Sequence, residues 1–245
     1  MKIDCTIISP NCRPRTHPVD TITIHCMAGD LTVEQCGRMF ANPETEASSN
    51  YGIDSKGRIG LYVPEDYRSW CSSNRDNDDR AITIEVANNG GPPDWPVSEK
   101  AYAALIELLV DVCRRHGIPK LLWKNDPYLI GHVWEQNMTL HRWFAAKACP
   151  GEYLYRRHYD IAARVNERLE EDAMTGEQIL QALSDKDAYE LLQKAQRHAA
   201  TLTAPMWARK ELNKAVEDGL TDGSRPQALV TRAEAAIMAE RAAKT

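Results

Sequence analysis

The sequence lacks a long apolar segment, an amino-terminal export signal and an excess of positive charge. No apolar run approaches the roughly 18 residues that a membrane-spanning helix needs, so no membrane span is expected. The first residues contain one lysine and no apolar stretch before a small-residue cleavage site, which predicts synthesis in the cytoplasm without a signal peptide. With 30 lysines and arginines against 35 aspartates and glutamates, the formal net charge is −5, and nucleic acid is not an expected partner.

Closely spaced cysteine pairs are also missing. The seven cysteines are an odd number and are scattered along the chain, which is typical of reduced thiols and not of a disulfide framework.

Hydrophobic residues make up 43% of the chain and charged residues 27%, as in a folded protein with a core. A length of 245 residues allows one medium-sized domain and one small domain.

A change of composition near Asp172 predicts two domains. All seven cysteines and five of the six tryptophans precede this residue, whereas the remainder is rich in alanine. We therefore predict domains at residues 1–171 and 172–245. The boundary is expected at about residues 169–175, without a flexible linker, because no stretch rich in proline, glycine or serine marks it.

Strands and helices are predicted to alternate along the first domain. Strand segments show apolar and polar alternation or flank a turn, and helix starts carry capping residues or an early proline. Strands are predicted at residues 21–26, 51–53, 58–63 and 81–87, and helices from Thr32, Ser98 and Cys149. This interleaving indicates an α/β fold built in layers, and the second domain is predicted to be all helical.

Three residues of the first domain have the chemistry of a metal site. His141 and Cys149 lie eight positions apart, and His25 lies at the end of a predicted strand that can bring it alongside. Two imidazoles and a thiolate suit zinc, and three protein ligands leave the fourth position open for water, as in catalytic sites. Cys149 at a helix start is expected to gain thiolate stability from the helix dipole. The alternative is a structural histidine in a sheet and a small buried cysteine.

Four segments follow one another in the first domain: the strand ending in IHC, the SNYGI segment, the N-x-x-x-A-I-x-I-E strand and the H-x5-K-x-C-P motif. In this order they resemble the zinc-dependent N-acetylmuramoyl-L-alanine amidases of type 2, a family that includes phage endolysins and peptidoglycan recognition proteins. The resemblance covers about residues 15–165. It implies a central mixed sheet flanked by helices, with a zinc ion in a surface groove.

The resemblance also implies roles for individual residues. His25, His141 and Cys149 match the zinc ligands, and His132 is a weaker rival because it lies too far upstream of Cys149. Three further positions match catalytic residues: Glu85 as general base, Lys147 as an oxyanion-stabilising residue and Tyr51 as the tyrosine near the metal. The alternatives are a solvent-facing glutamate, a solvated lysine and a core aromatic residue in the hairpin.

A loop with the sequence WCSSN falls where the family places a substrate groove. Trp70, Ser72 and Asn74 are the predicted substrate-binding residues, with Ser73 between them. Polar side chains beside an aromatic face suit a sugar and a stem peptide. The alternative is a surface loop anchored by one tryptophan.

The second domain contains a weaker resemblance. The segments at Trp207–Ala208, Gly219–Pro226 and Val230–Glu234 are similar to part of one S-layer homology module, a unit that binds cell-wall polymers. The alternative is a helical pair that packs on the first domain or forms a homo-oligomer.

The sequence therefore predicts a peptidoglycan hydrolase. We expect a zinc-dependent N-acetylmuramoyl-L-alanine amidase of the phage endolysin or autolysin kind, a bacteriolytic and antimicrobial enzyme that acts on the cell wall after release. Two other classes of protein stay open: a peptidoglycan-binding protein without catalysis, and an intracellular regulator on the same fold.

Overall fold

The structure is a computed structural model and describes residues 2–171, 181, 183–205, 208–224, 235, 239 and 240. The chain forms two compact units, Met1–Ala173 and Met174–Thr245. The first unit contains the strands β1 Cys5–Thr6, β2 Arg13–Pro14, β3 Thr21–Cys26, β4 Tyr51–Ile53, β5 Ile59–Leu61, β6 Tyr67–Arg68, β7 Ala81–Val86 and β8 Met138–Thr139. Its α-helices are α1 Val33–Ala41, α2 Arg75–Arg80, α3 Glu99–His116 and α4 Gly151–Glu171. Short 3-10 turns lie at Pro43–Thr45, Pro127–Leu129 and His141–Trp143.

Six strands form one mixed sheet in the order β1-β5-β4-β7-β3-β8. β4 and β5 are antiparallel and form the predicted hairpin, whereas the other neighbouring strands are parallel. β2 and β6 form a separate antiparallel pair. The predicted α/β class, with a central mixed sheet flanked by helices, is confirmed.

The two faces of the sheet differ in chemistry. Ile22 lies opposite Ile82 and Ile24 opposite Ile84 on β3 and β7, and these four side chains are fully buried in the main core, to which α3 and α4 also contribute. Because side chains alternate along a strand, the intervening polar residues project from the other face. α1 lies on that other side, where Cys36 and Phe40 pack with Tyr62.

Local capping explains most helix boundaries. Thr32 forms a capping box with Gln35 at the start of α1, and Ser98 caps α3, as predicted. Gly117 ends α3 with a φ of 65°, a left-handed conformation that glycine adopts without strain. α4 begins at Gly151, two residues later than predicted. α2 was not predicted because its six residues are all polar and show no apolar period.

In the second unit the structure describes two helices, Asp185–Ala199 and Arg209–Glu217. The first helix starts with the predicted cap, Ser184, which forms a capping box with Asp187. Trp207 and residues 225–234 lie outside the described residues, and so do the helix starts predicted at residues 175–178 and 231–234. Within the described part of the chain, no helix combines the length and apolarity needed to cross a membrane.

Candidate metal centre

The three predicted metal ligands come together in the folded chain. His25, His141 and Cys149 each offer a ligand atom, and these atoms all lie within 4.8 Å of one another. The Sγ of Cys149 lies 3.4 Å from Nδ1 of His25, and the two imidazole centroids are 5.1 Å apart. Residues separated by more than a hundred positions thus form one cluster.

The end of β3, a 3-10 turn and the segment before α4 position these residues. His25 is the penultimate residue of β3, and β8 pairs with β3 through Met138 and Thr139. The chain then enters the 3-10 turn that starts at His141. Cys149 lies two residues before α4. The cluster therefore lies at the carboxyl end of β3, where loops carry function in parallel sheets.

Burial sets the protonation of the two histidines. Burial lowers the pKa of His25 well below its ordinary value, and the neighbouring His141 lowers it further. The pKa of His141 is lowered by burial and then by the positive charge of Lys147. Both imidazoles are therefore held in the neutral form, which is the form that binds a metal ion.

Cys149 does not follow the expectation from the sequence. A hydrogen bond with the Cys26 thiol, burial and the charge of Glu85 raise the pKa of Cys149 well above its ordinary value. The predicted stabilisation of the thiolate by the helix start is thus outweighed by its buried surroundings. A metal ion that binds here must displace the thiol proton, so binding should release a proton.

Glu85 lies beside His25 on the neighbouring strand. The two residues are register partners on β7 and β3, and both project from the polar face of the sheet. The Sγ of Cys71 donates to Oε1 of Glu85 at 3.7 Å, whereas Oε2 is buried without a hydrogen-bond partner in the described structure. Burial, and then the nearby Cys26, raise the pKa of Glu85 well above its ordinary value. With its pKa raised, this carboxyl group binds a proton more readily than an exposed carboxyl group does, as a general base requires.

Cys71 is a residue that the sequence analysis did not assign to the site. Its ligand atom lies within 4.8 Å of those of His25 and Glu85, so these three form a second group adjoining the first. Its position in the sequence, directly after Trp70, carried no signal of this contact. The contact forms because the folded chain brings Cys71 next to His25 on β3 and Glu85 on β7.

The structure does not bring Tyr51 to the cluster. Tyr51 lies opposite Ile84 in the sheet, so its side chain enters the core on the face away from His25. Its hydroxyl donates to Oε1 of Glu65 at 2.8 Å. The interpretation of Tyr51 as a catalytic residue near the metal is therefore corrected: Tyr51 is a core residue of the hairpin.

Lys147 and the loop at Trp70 lie beside the cluster. Lys147 is exposed, and its positive charge lowers the pKa of His141. Trp70 and Asn74 line a cavity of about 370 Å³, together with Arg68, Ser73, Arg75 and other residues of this segment.

Ser72 has a different role from the predicted one. It is buried, its backbone N–H donates to Asp78 at 3.1 Å, and its hydroxyl donates to the carbonyl of Asn74. Ser72 therefore supports the loop and does not line the cavity.

Two histidines, a cysteine and a buried carboxyl group at the carboxyl edge of a mixed sheet are side chains that metal-dependent hydrolases combine in their sites. The family model for N-acetylmuramoyl-L-alanine amidase matches residues 15–152, more than half of the chain. The chain belongs to this family of peptidoglycan amidases.

Solved structures share the fold. PlyL is 19% identical over 67% of this chain and 97% of its own, with a TM-score of 0.51. The catalytic domain of PlyG is 18% identical over 71% of this chain and 100% of its own, with a TM-score of 0.52. A mutant endolysin from Bacillus subtilis is 19% identical over 67% of this chain and 99% of its own, with a TM-score of 0.50. No curated protein matches the chain.

Proposed function

We propose that this protein is a zinc-dependent amidase that hydrolyses the amide bond between N-acetylmuramic acid and L-alanine in bacterial peptidoglycan. His25, His141 and Cys149 are the proposed zinc ligands, and Glu85 is the proposed general base. The observation that carries the proposal is the convergence of three ligand atoms within 4.8 Å beside a buried carboxyl group. Membership of the amidase family supplies the bond that is cut.

The ligand spacing fits zinc. Typical zinc–sulfur and zinc–nitrogen bonds at a tetrahedral angle place the two ligand atoms about 3.6 Å apart. Nδ1 of His25 and Sγ of Cys149 are 3.4 Å apart, so little movement is needed to bind the ion. Two nitrogen donors and one sulfur donor are also the mixture that zinc accepts, and three ligands leave one position open.

Each proposed residue has one task. When bound, zinc would polarise the scissile carbonyl and lower the pKa of a water molecule. Glu85 takes the proton from that water and returns it to the leaving amine, because burial keeps its pKa high. Lys147 is close enough to the site for its positive charge to lower the pKa of His141. This positive charge stabilises the negative charge that develops on the carbonyl oxygen.

The cavity beside the cluster is the proposed substrate groove. Trp70 offers an aromatic face, and Arg68 and Arg75 offer positive charges along the same 370 Å³ cavity. A sugar ring packs well on an aromatic face, and guanidinium groups bind the carboxylates of a stem peptide. Asn74 lines the cavity while its side chain caps α2, which fixes this part of the groove.

We extend the proposal to the biological role and to the two domains. One similar structure is described as an endolysin, and we propose the same bacteriolytic role here, with catalysis in residues 1–171. For residues 172–245 we propose a role in binding the cell wall or in self-association. The division of the chain into two compact units supports a separate role for the second part.

Metal analysis combined with mass spectrometry of digested cell walls tests the proposal. The purified protein should contain one zinc per chain, and digestion should release stem peptides with a free L-alanine amino group. A chelator should abolish this activity, and added zinc should restore it. Zinc binding without any released peptide would instead support the non-catalytic peptidoglycan-binding alternative.

A further inference from the structure

Ser73 contacts one of the proposed metal ligands. Its Oγ lies 3.2 Å from Nε2 of His141, although the two residues are 68 positions apart in the sequence. Ser73 also lines the cavity beside the cluster. The Ser73 hydroxyl group therefore connects the loop at residues 70–74 to the candidate metal centre.

Ser73 adopts an unusual backbone conformation. Its φ is 62°, in the left-handed region that residues other than glycine rarely adopt. Such a conformation persists only where the surrounding structure enforces it. In this conformation the hydroxyl oxygen lies 3.2 Å from Nε2 of His141.

The loop around Ser73 is held by a buried carboxylate. The backbone N–H groups of Cys71 and Ser72 donate to Asp78 at 3.0 and 3.1 Å. On the other side, the Asn74 side chain accepts from the backbone of Asn77 at 2.9 Å and so caps α2. Both flanks of Ser73 are thus fixed by hydrogen bonds, and its exposed side chain contacts His141.

A histidine that binds a metal through one nitrogen usually holds a partner with the other, and this partner fixes both the proton and the ring orientation. Ser73 contacts Nε2, so Nδ1 is the nitrogen left for the metal. We propose that Ser73 is a positioning residue that orients His141 and selects Nδ1 as its metal-binding atom. This inference rests on the proposed zinc site.

Two substitutions distinguish the effect of the hydroxyl group from the effect of the backbone strain. Ser73→Ala removes the hydroxyl and keeps a side chain at positive φ, whereas Ser73→Gly removes both. Ser55→Ala, in the turn between β4 and β5, is the matched control. Zinc affinity of the full-length proteins is measured by competition with a chromophoric chelator, and folding is checked by thermal unfolding.

We expect both Ser73 variants to bind zinc 10- to 100-fold more weakly than the parent, as is typical when the partner of a metal-binding histidine is lost. Ser55→Ala should bind zinc like the parent. Ser73→Gly should be at least as stable as the parent because glycine relieves the positive φ. Weak zinc binding in a stable Ser73→Gly protein would therefore come from the lost hydroxyl.

The binding nitrogen is read directly by nuclear magnetic resonance. In ¹⁵N-histidine protein loaded with ¹¹³Cd, the cadmium should couple to Nδ1 of His141. Coupling to Nε2 would overturn the inference, and so would parent-like zinc affinity in both Ser73 variants. A parent protein that binds no metal would refute the proposed function together with this inference.

Discussion

Glu85 lies directly opposite His25 on the neighbouring parallel strand, and the two side chains leave the sheet on the same face. This pairing places a buried carboxyl group beside a proposed metal ligand. Glu85 can therefore act either as a proton acceptor for the reaction or as a further metal ligand, since it also groups with His25 and Cys71. The first prediction separates these roles.

Glu85→Gln should retain zinc and lose most turnover. The amide keeps the shape of the side chain but cannot accept the proton, so kcat should fall by a factor of about 10² to 10⁴. Glu135→Gln, which changes an exposed glutamate, is the control and should retain parent kcat. Zinc content and wall hydrolysis are measured for each protein. If Glu85→Gln digested walls at the parent rate, another group would be the base; if it lost zinc, Glu85 would be a ligand.

His141→Ala should lose zinc and activity. The substitution removes one of three ligands, so the zinc content of the purified protein should fall to a small fraction of one per chain. His132→Ala is the matched control because His132 was the rival ligand in the sequence and is exposed in the structure. Elemental analysis distinguishes the two variants. Loss of zinc from His132→Ala alone would reverse the assignment.

Tyr51→Phe should reduce stability and leave kcat unchanged. The hydroxyl donates to Glu65 on the face away from the cluster. Its loss should lower the free energy of unfolding by about 1–2 kcal/mol. Urea unfolding and kinetics on soluble muropeptides measure the two effects separately. A large fall in kcat without a loss of stability would restore the catalytic role predicted from the sequence.

His158 should make stability depend on pH. This histidine is fully buried against Trp123, and burial is the main cause that lowers its pKa to about 4. The unfolded chain binds the proton at a pKa near 6.5, before the folded chain does, so the free energy of unfolding falls as the pH drops from about 6.5 to about 4. The full effect is on the order of 3 kcal/mol.

The His158→Gln variant isolates this effect from that of the carboxylates. Between pH 7 and pH 4.5, the free energy of unfolding of this variant should fall by less than that of the parent. Urea unfolding at the two pH values measures both changes. Equal losses in the two proteins would show that His158 does not contribute to the acid sensitivity.

Deletion of the residues after Glu171 should leave cleavage of small soluble muropeptides nearly intact and weaken action on whole walls. All proposed site residues precede the deletion, and residues Met1–Ala173 form a compact unit. A targeting contact would raise the effective concentration of the site at an insoluble substrate without changing the chemistry. If the second unit instead forms oligomers, light scattering should show a smaller assembly after truncation. A truncated protein that does not fold would refute the boundary.

Much of the candidate centre could be predicted from the sequence. The segments T-I-T-I-H and A-I-T-I-E alternate in the same way, so each strand was expected to bury its isoleucines and to project its last polar residue from the other face. This inference is reliable because alternation follows from the covalent geometry of an extended chain. The proposed metal ligands were indicated by their residue types and, above all, by the resemblance of the surrounding segments to the amidase family.

Only the tertiary structure decided the remaining parts. The face occupied by Tyr51 depends on its register against β7, and a shift of one residue would have turned it toward His25. The contact of Cys71 with Glu85 and that of Ser73 with His141 join segments that are distant in the sequence. The raised pKa of Cys149 comes from its hydrogen bond with Cys26 on β3, from burial and from the charge of Glu85 on β7. Local patterns determine which face of a strand a side chain takes, whereas pairing between distant segments determines what that side chain meets.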